Sequence, residues 1–172
     1  MSPSGISETA CMLLDYVANA LDADLRPVCK VYQTVGTPVI LTCCECEEGT
    51  NGELSIHFTR LFDAESDTLL EVQRIRPCRG GVTAAQYRIV LARCYPTIDE
   101  RGEIPEPDVL EAVADEFQRD AELMWQSLAC SGESMRIDDL SVDLGPKAGC
   151  AVMSIDVTIQ VLVPALPTLS SL

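Results

Sequence analysis

The stretch "AVMSIDVTIQVLV" near the C-terminus constrains the fold more than any other part of the sequence. Every odd-numbered residue from Ala151 to Val163 is apolar, whereas four of the even-numbered positions between them are Ser, Asp, Thr or Gln. Successive side chains of a β-strand point to opposite faces, so this alternation predicts a long strand with one buried face. The segment "MRIDDLSVDL" precedes it through the turn "GPKAG", which predicts a C-terminal β-hairpin.

Two other segments repeat apolar residues at helical spacing. In residues 7–21, Ser7 fits the N-cap position and Glu8 fits the first turn. In residues 107–129, Pro107 suits the first helical position and Gly132 fits the stop that follows. The predicted core stripes are Ala10, Leu13, Leu14, Val17, Ala18 and Leu21 in the first helix, and Leu110, Val113, Phe117, Ala121, Met124 and Leu128 in the second.

Residues 28–94 are predicted to be mostly strand. The segments "PVILTCCECE", "ELSIHFTRLF", "LLEVQRIRP" and "AAQYRIVLARCYP" are bounded by turn signals such as Asn51-Gly52 and Gly80-Gly81. Their short connections favour antiparallel pairing, and residues 97–107 are predicted to be a polar loop. The element order predicts an α+β fold, a mostly antiparallel sheet with both helices packed on a face. A chain of 172 residues favours a single domain over residues 1–172, with 163–172 as a loose tail.

The charge argues against several functions. The formal net charge is −15, from 27 acidic and 12 basic residues. Proteins that grip nucleic acid need cations to replace condensed counterions, so this chain as a whole should repel DNA. Its N-terminus has neither a basic region nor an apolar core typical of a signal peptide, and no stretch is apolar enough to span a bilayer. We therefore expect a soluble protein made in a cytoplasm.

Nine cysteines raise the question of metal binding, because residues 43–46 read Cys-Cys-Glu-Cys. Zinc ligands usually arrive in pairs at short spacing, and no C-x-x-C pair is present. In a strand, Cys44 and Cys46 share one face while Cys43 lies on the other. A site formed with His57 stays open as an interpretation. The pattern favours reduced cysteines that pack as small apolar residues.

Catalysis finds little support in the sequence. His57 is the only histidine, and nothing places it beside a thiol in a cationic pocket, as a cysteine nucleophile requires. Its place between Ile56 and Phe58 favours a strand histidine that faces solvent. The sequence also lacks a phosphate-binding loop and a calcium loop. We therefore expect no enzymatic activity and no cofactor.

Arginines are concentrated in one segment. Five of the twelve basic residues fall within twenty positions, namely Arg74, Arg76, Arg79, Arg88 and Arg93. They could pair across strands with acids such as Glu71 or Asp67, or form a docking patch for an acidic neighbour, including another copy of this chain. Trp125 falls off the core stripe of its helix, where it either closes the core edge or anchors an interface.

This order of elements resembles the tail terminator proteins of long-tailed bacteriophages. The resemblance rests on "SETACMLLDYVANAL", the strands through "AQYRIVLARCYP", the helix "PDVLEAVADEFQRDAELMWQSL" and the final "AVMSIDVTIQVLV". The text "RIVLARCYPTIDERGEIPEPDVLEAVADEFQRDAELMW" is also similar to neck proteins of actinobacterial phages. The resemblance covers most of the chain and includes no short diagnostic motif.

The resemblance implies a structural role in the virion. Such proteins form hexameric rings that cap the tail tube, stop its polymerisation and present a surface to the head-completion protein. DNA then crosses the central channel without sequence-specific binding, and an acidic lumen suits that passage. Two alternatives remain: another head-to-tail connector, such as a head-completion or adaptor protein, and a cysteine-based metal-binding module or enzyme.

Overall fold

The structure, a computed structural model, describes residues 5–36, 51–62, 81–96, 104–147 and 149–163. It has the predicted α+β architecture of two helices and one five-stranded sheet. In chain order the elements are α1 (Ile6–Ala23), β1 (Lys30–Val35), β2 (Glu53–Phe62), β3 (Gly81–Cys94), α2 (Pro107–Ala129), β4 (Met135–Lys147) and β5 (Cys150–Val163).

The strands are arranged in the order β1-β2-β3-β5-β4. Antiparallel pairing joins β2 to β3, β3 to β5, and β5 to β4, so the sheet is mostly antiparallel, as predicted. The pair β1 and β2 is parallel, so the sheet is mixed. A parallel pair needs a crossover of about a dozen residues or more, and the connection from residue 36 to residue 52 meets that need.

Helix α1 follows the predicted apolar stripe but begins differently. Gly5, not Ser7, is the N-cap, and its backbone N–H donates to the Glu8 carboxylate at 3.2 Å. Leu13, Val17 and Leu21 are fully buried on the sheet-facing side. Each such burial stabilises the fold by about 1.5–3 kcal/mol relative to an exposed side chain.

Helix α2 spans Pro107–Ala129, the predicted bounds, and the backbone N–H of its C-cap residue Cys130 donates to the carbonyls of Gln126 and Leu128. Phe117, Met124 and Leu128 are buried as expected. The stripe also contains a residue that sequence analysis did not assign to it, because Asp120 is buried as well.

The C-terminal hairpin is confirmed. In β5 the odd-numbered residues from Ala151 to Val161 are all buried, and β5 lies between β3 and β4. This buried face joins α1, α2 and the core-facing residues of β2 and β3 in one main hydrophobic cluster. Both helices therefore pack on the same face of the sheet, which we call the helix face. The opposite face, which we call the open face, carries no described helix.

Several predicted features lie outside the described residues. They include all of "PVILTCCECE" with Cys43, Cys44 and Cys46, the segment "LLEVQRIRP", most of the loop at 97–107 and nearly all of the predicted tail. Within the described parts of the chain, neither helix combines the length and apolar character needed to cross a lipid bilayer.

Candidate functional site

The open face carries a row of polar residues in register across the sheet. His57 of β2 lies opposite Arg88 of β3, and Arg88 lies opposite Asp156 of β5. Asp156 in turn lies opposite Asp139 of β4. Side chains at directly opposed positions are close enough to interact, so the register of the sheet brings an imidazole, a guanidinium and two carboxylates into one line.

Arg88 is held within this row by two hydrogen bonds. Its Nε and Nη2 donate to Oδ1 and Oδ2 of Asp156, each at 2.7 Å. This paired geometry is the strong form of an arginine–carboxylate contact. The hydrogen bond with Asp156, together with charge interactions from Asp156 and Asp139, raises the pKa of Arg88. Arg88 thus pairs across strands, one of the two interpretations of the arginine cluster, while its side chain stays partly exposed.

The β4–β5 side of the open face is hydroxyl-rich and acidic. The hydroxyl groups of Ser141 and Ser154 lie 3.0 Å apart. Thr158 donates to Asp138 at 2.8 Å, and Asp138 also accepts from Arg136. The carboxylates of Asp138, Asp139 and Asp143 belong to exposed residues, so they give this part of the sheet a negative surface.

His57 contradicts the expectation of a histidine facing solvent. It is fully buried, and its Nε2 lies 3.0 Å from the hydroxyl oxygen of Ser55. Its Nδ1 has no hydrogen-bond partner among the residues that the structure describes. Burial, and then the positive charge of Arg88, lowers the pKa of His57 below its ordinary value. The imidazole is therefore neutral near pH 7 and serves as a buried packing group.

Arg93 is also placed differently from the prediction of a surface patch. It is 4% exposed, and its Nε donates to Asp120 at 3.0 Å. A second arginine, Arg26, donates from Nε to the other oxygen of Asp120 at 2.6 Å. We call these three residues the Arg93 clasp. Because its guanidinium is buried inside the subunit, Arg93 is not available to a partner.

The Arg93 clasp ties four parts of the chain together. Nη2 of Arg93 donates to the Arg26 carbonyl at 2.8 Å, and Nη1 donates to the carbonyls of Pro27 and Asn51. The clasp thereby connects the end of β3 and the middle of α2 to two further segments, one that precedes β1 and one that precedes β2. Asp120 falls between Phe117 and Met124 at helical spacing, and that position was the one signal in the sequence for its burial.

Three disulfide-bonded cysteines of the described residues lie near the same corner of the sheet. Cys29, Cys94 and Cys150 are all disulfide-bonded, and Cys94 lies opposite Cys150 in the sheet register. Cys29 donates its backbone N–H to Gly52 at 3.0 Å. Cys11 and Cys130 carry free thiols. The expectation of reduced cysteines is therefore wrong for three of the described residues.

Of the other residues predicted to contact a subunit or partner, three arginines lie outside the described residues and Trp125 lies within them. Arg74, Arg76 and Arg79, with the proposed partners Glu71 and Asp67, lie outside the described residues. Trp125 is 44% exposed on α2. It therefore presents an aromatic surface next to the core, as either interpretation of this residue requires. The structure does not bring Trp125 together with Arg88, because they lie on opposite sides of the sheet.

Metal binding and catalysis find little support in the described part of the chain. Among those residues, no group of three or more His, Cys, Asp or Glu side chains could hold a metal ion. Ser55 and His57 are in contact, but both are buried. A nucleophile and base in this position have no access for a substrate.

Comparisons with known proteins assign no relationship. Neither a protein-family model nor a curated protein sequence matches this chain.

Proposed function

We propose that this protein is a phage tail terminator, a structural protein without enzymatic activity that forms a ring, caps the tail tube and joins it to the head. The observation that carries the proposal is the element order. A helix, a group of strands, a long helix and a C-terminal hairpin form one sheet with both helices on one face. That order is the feature by which the sequence resembles the family.

The surface charge fits the same role. The chain has a formal charge of −15, and acidic residues outnumber basic ones among the described residues of the β4–β5 part of the open face. A ring of such subunits offers few cations for counterion exchange, so DNA passes its channel without being retained. Its partners in this role are other copies of itself, the major tail tube protein and a head-completion protein, and its location is the neck of the virion.

A tube-capping assay tests this function. The tube protein encoded by the same genome is allowed to polymerise with increasing amounts of this chain, and tube lengths are measured by negative-stain imaging. We expect shorter tubes that each carry a ring-shaped particle at one end. Tubes of unchanged length, with the chain bound to filled heads instead, favour the head-completion or adaptor alternative. Binding to neither contradicts both assignments.

A further inference from the structure

The two edges of the sheet expose apolar side chains on the same face. In β1, Val35 is 76% exposed and lies opposite Phe58, whose side chain packs against the core. In β4, Val142 is 43% exposed and lies opposite the core residue Met153. Both valines therefore belong to the helix face. Each of these strands has one neighbouring strand among those that the structure describes.

The open face of the same two edges carries opposite charges. Lys30 of β1 is exposed, lies opposite Glu53, and forms no ion pair with any described residue. On β4 the corresponding face carries the exposed acids Asp138, Asp139 and Asp143, and one cation, Arg136, which pairs with Asp138. One edge is thus apolar and cationic, while the other is apolar and anionic. The two edges therefore match each other face by face, in apolar groups on the helix face and in opposite charges on the open face.

Strand direction favours the same match. With β1 and β2 pointing one way, β3 points the opposite way, β5 returns to the first direction and β4 again points the opposite way. If neighbouring copies are related by rotation about an axis along the strands, β4 of one copy meets β1 of the next in antiparallel orientation. Antiparallel pairing is slightly more stable per residue than parallel pairing.

We propose that β1 of one copy pairs with β4 of the next copy, so that the sheet continues from subunit to subunit and closes. This inference rests on the proposed function, since it names the contact by which the ring forms. It also accounts for the exposed valines, because an edge strand with exposed backbone and apolar groups is a site for pairing unless it is covered. A contact between two different surfaces is the kind that generates closed rings.

Two single substitutions test the contact from both sides. Val35→Asp places a charge on the β1 edge, and Val142→Asp places one on the β4 edge. Val109→Asp is the matched control, because Val109 is 45% exposed on α2 and belongs to neither edge. The size of the particle is measured by light scattering and native mass spectrometry, and cooperative thermal unfolding is checked for every variant.

We expect wild type and Val109→Asp to assemble, and both edge variants to remain folded monomers. Mixing the two edge variants in equal amounts tests the pairing of β1 with β4 directly. Val142→Asp retains an intact β1, and Val35→Asp retains an intact β4, so the mixture should form a dimer containing one copy of each. If an Asp variant does not unfold cooperatively, Val35→Thr and Val142→Thr are used in its place, because they introduce no charge. We then expect a larger dissociation constant for subunit association than that of wild type.

Several outcomes overturn the inference. One is that either edge variant assembles as wild type does. Another is that Val142→Asp alone forms a symmetric dimer, which indicates pairing of β1 with β1. A wild-type chain that stays monomeric also overturns it. Tube capping separates the two proposals: if rings cap tubes while both edge variants assemble normally, the edge contact is wrong and the proposed function stands.

Discussion

At the residue scale, Asp120 determines how the Arg93 clasp is held. Its two carboxylate oxygens accept from Arg26 and Arg93, and the side chain is fully buried. Removing one partner from a buried ion pair is strongly destabilising, because the remaining charge stays buried without compensation. The stability of the corner thus depends on a residue whose type usually lies on the surface.

Replacing Asp120 by Asn should lower the free energy of unfolding by about 3–5 kcal/mol. Asn keeps the shape of the side chain and removes its charge, so Arg93 is left as a buried cation. The free energy is measured by urea unfolding followed by circular dichroism. Asp115→Asn, on the exposed side of α2, is the control and should change it by less than about 0.5 kcal/mol. Equal effects of the two substitutions would contradict this account.

His57 should make stability depend on pH. The folded pKa of His57 lies below the unfolded value of 6.5. Its contribution is therefore fully present above about pH 6.5 and is lost as the pH falls from there toward the folded pKa. The slope cannot exceed about 1.4 kcal/mol per pH unit for one proton.

The measurement compares wild type with His57→Gln, which keeps a polar atom near Ser55 and does not titrate. Between about pH 7.5 and about pH 5.5, the unfolding free energy of wild type should fall more steeply than that of the variant. Because His57 is the only histidine, no other imidazole contributes to the difference. Parallel slopes would show that His57 is not buried as described.

Single residues were the least predictable part of the site. Alternation in "ELSIHFTRLF" predicted that Leu54 and Ile56 face the core, and they do. It could not predict that Ser55 and His57 are buried too, because local periodicity says nothing about what covers the second face. Arg93 likewise looked like a surface cation, since its buried partner is 27 residues away in the sequence.

At the element scale, the start of β2 depends on Gly52. Its φ angle is +84°, and a Cβ atom added there would collide with the carbonyl oxygen of Ala92. Gly36, after β1, has a similar φ of +80° but nothing within 4 Å of such a Cβ atom. The two glycines therefore share the same backbone conformation and differ in their surroundings.

The pair of glycines separates backbone strain from steric conflict. Gly36→Ala should lower the unfolding free energy by about 1–2 kcal/mol, the usual difference for a left-handed residue with a side chain. Gly52→Ala should lower it by at least about 1 kcal/mol more, since backbone must also move. Thermal and urea unfolding of both variants measure the difference. Similar losses would indicate that the Ala92 contact is unimportant.

Helices and hairpin strands were predictable because their signals are local. Pro107, the apolar stripe and the following Gly132 fixed the bounds of α2, and strict alternation identified β5. The parallel pairing of β1 with β2 was not predictable, since register between strands joined by a long connection depends on contacts distant in sequence. The N-cap of α1 is Gly5 and not the predicted Ser7, because the backbone N–H of Gly5 donates to the Glu8 carboxylate.

At the scale of the whole molecule, the disulfides and the Arg93 clasp stabilise the same corner. Cys29, Cys94 and Cys150 are oxidised there, while Cys11 and Cys130 are free. Cross-links stabilise mainly by limiting the unfolded chain, by about 2–4 kcal/mol each. The clasp requires no particular redox state, so the fold should survive reduction with lower stability.

Reduction should therefore lower the urea midpoint without abolishing cooperative unfolding. Stability is compared with and without a phosphine reductant. Alkylation of the unreduced, denatured protein followed by peptide mass spectrometry should label Cys11 and Cys130 but not the three bonded cysteines. Complete labelling of Cys29, Cys94 and Cys150, together with an unchanged midpoint, would contradict the disulfide assignment.

The corner held by the clasp lies at one end of the sheet, where β1, β2 and β5 begin and β3 and β4 end. The opposite end contains Phe62 and Val163 and has none of these cross-links among the residues described there. An assembly that repeats the subunit by rotation about an axis along the strands therefore places the three disulfide-bonded cysteines of the described residues at one rim, together with the clasp. Such an object is directional: its two sides are chemically different, and each can select a different neighbour along a single axis.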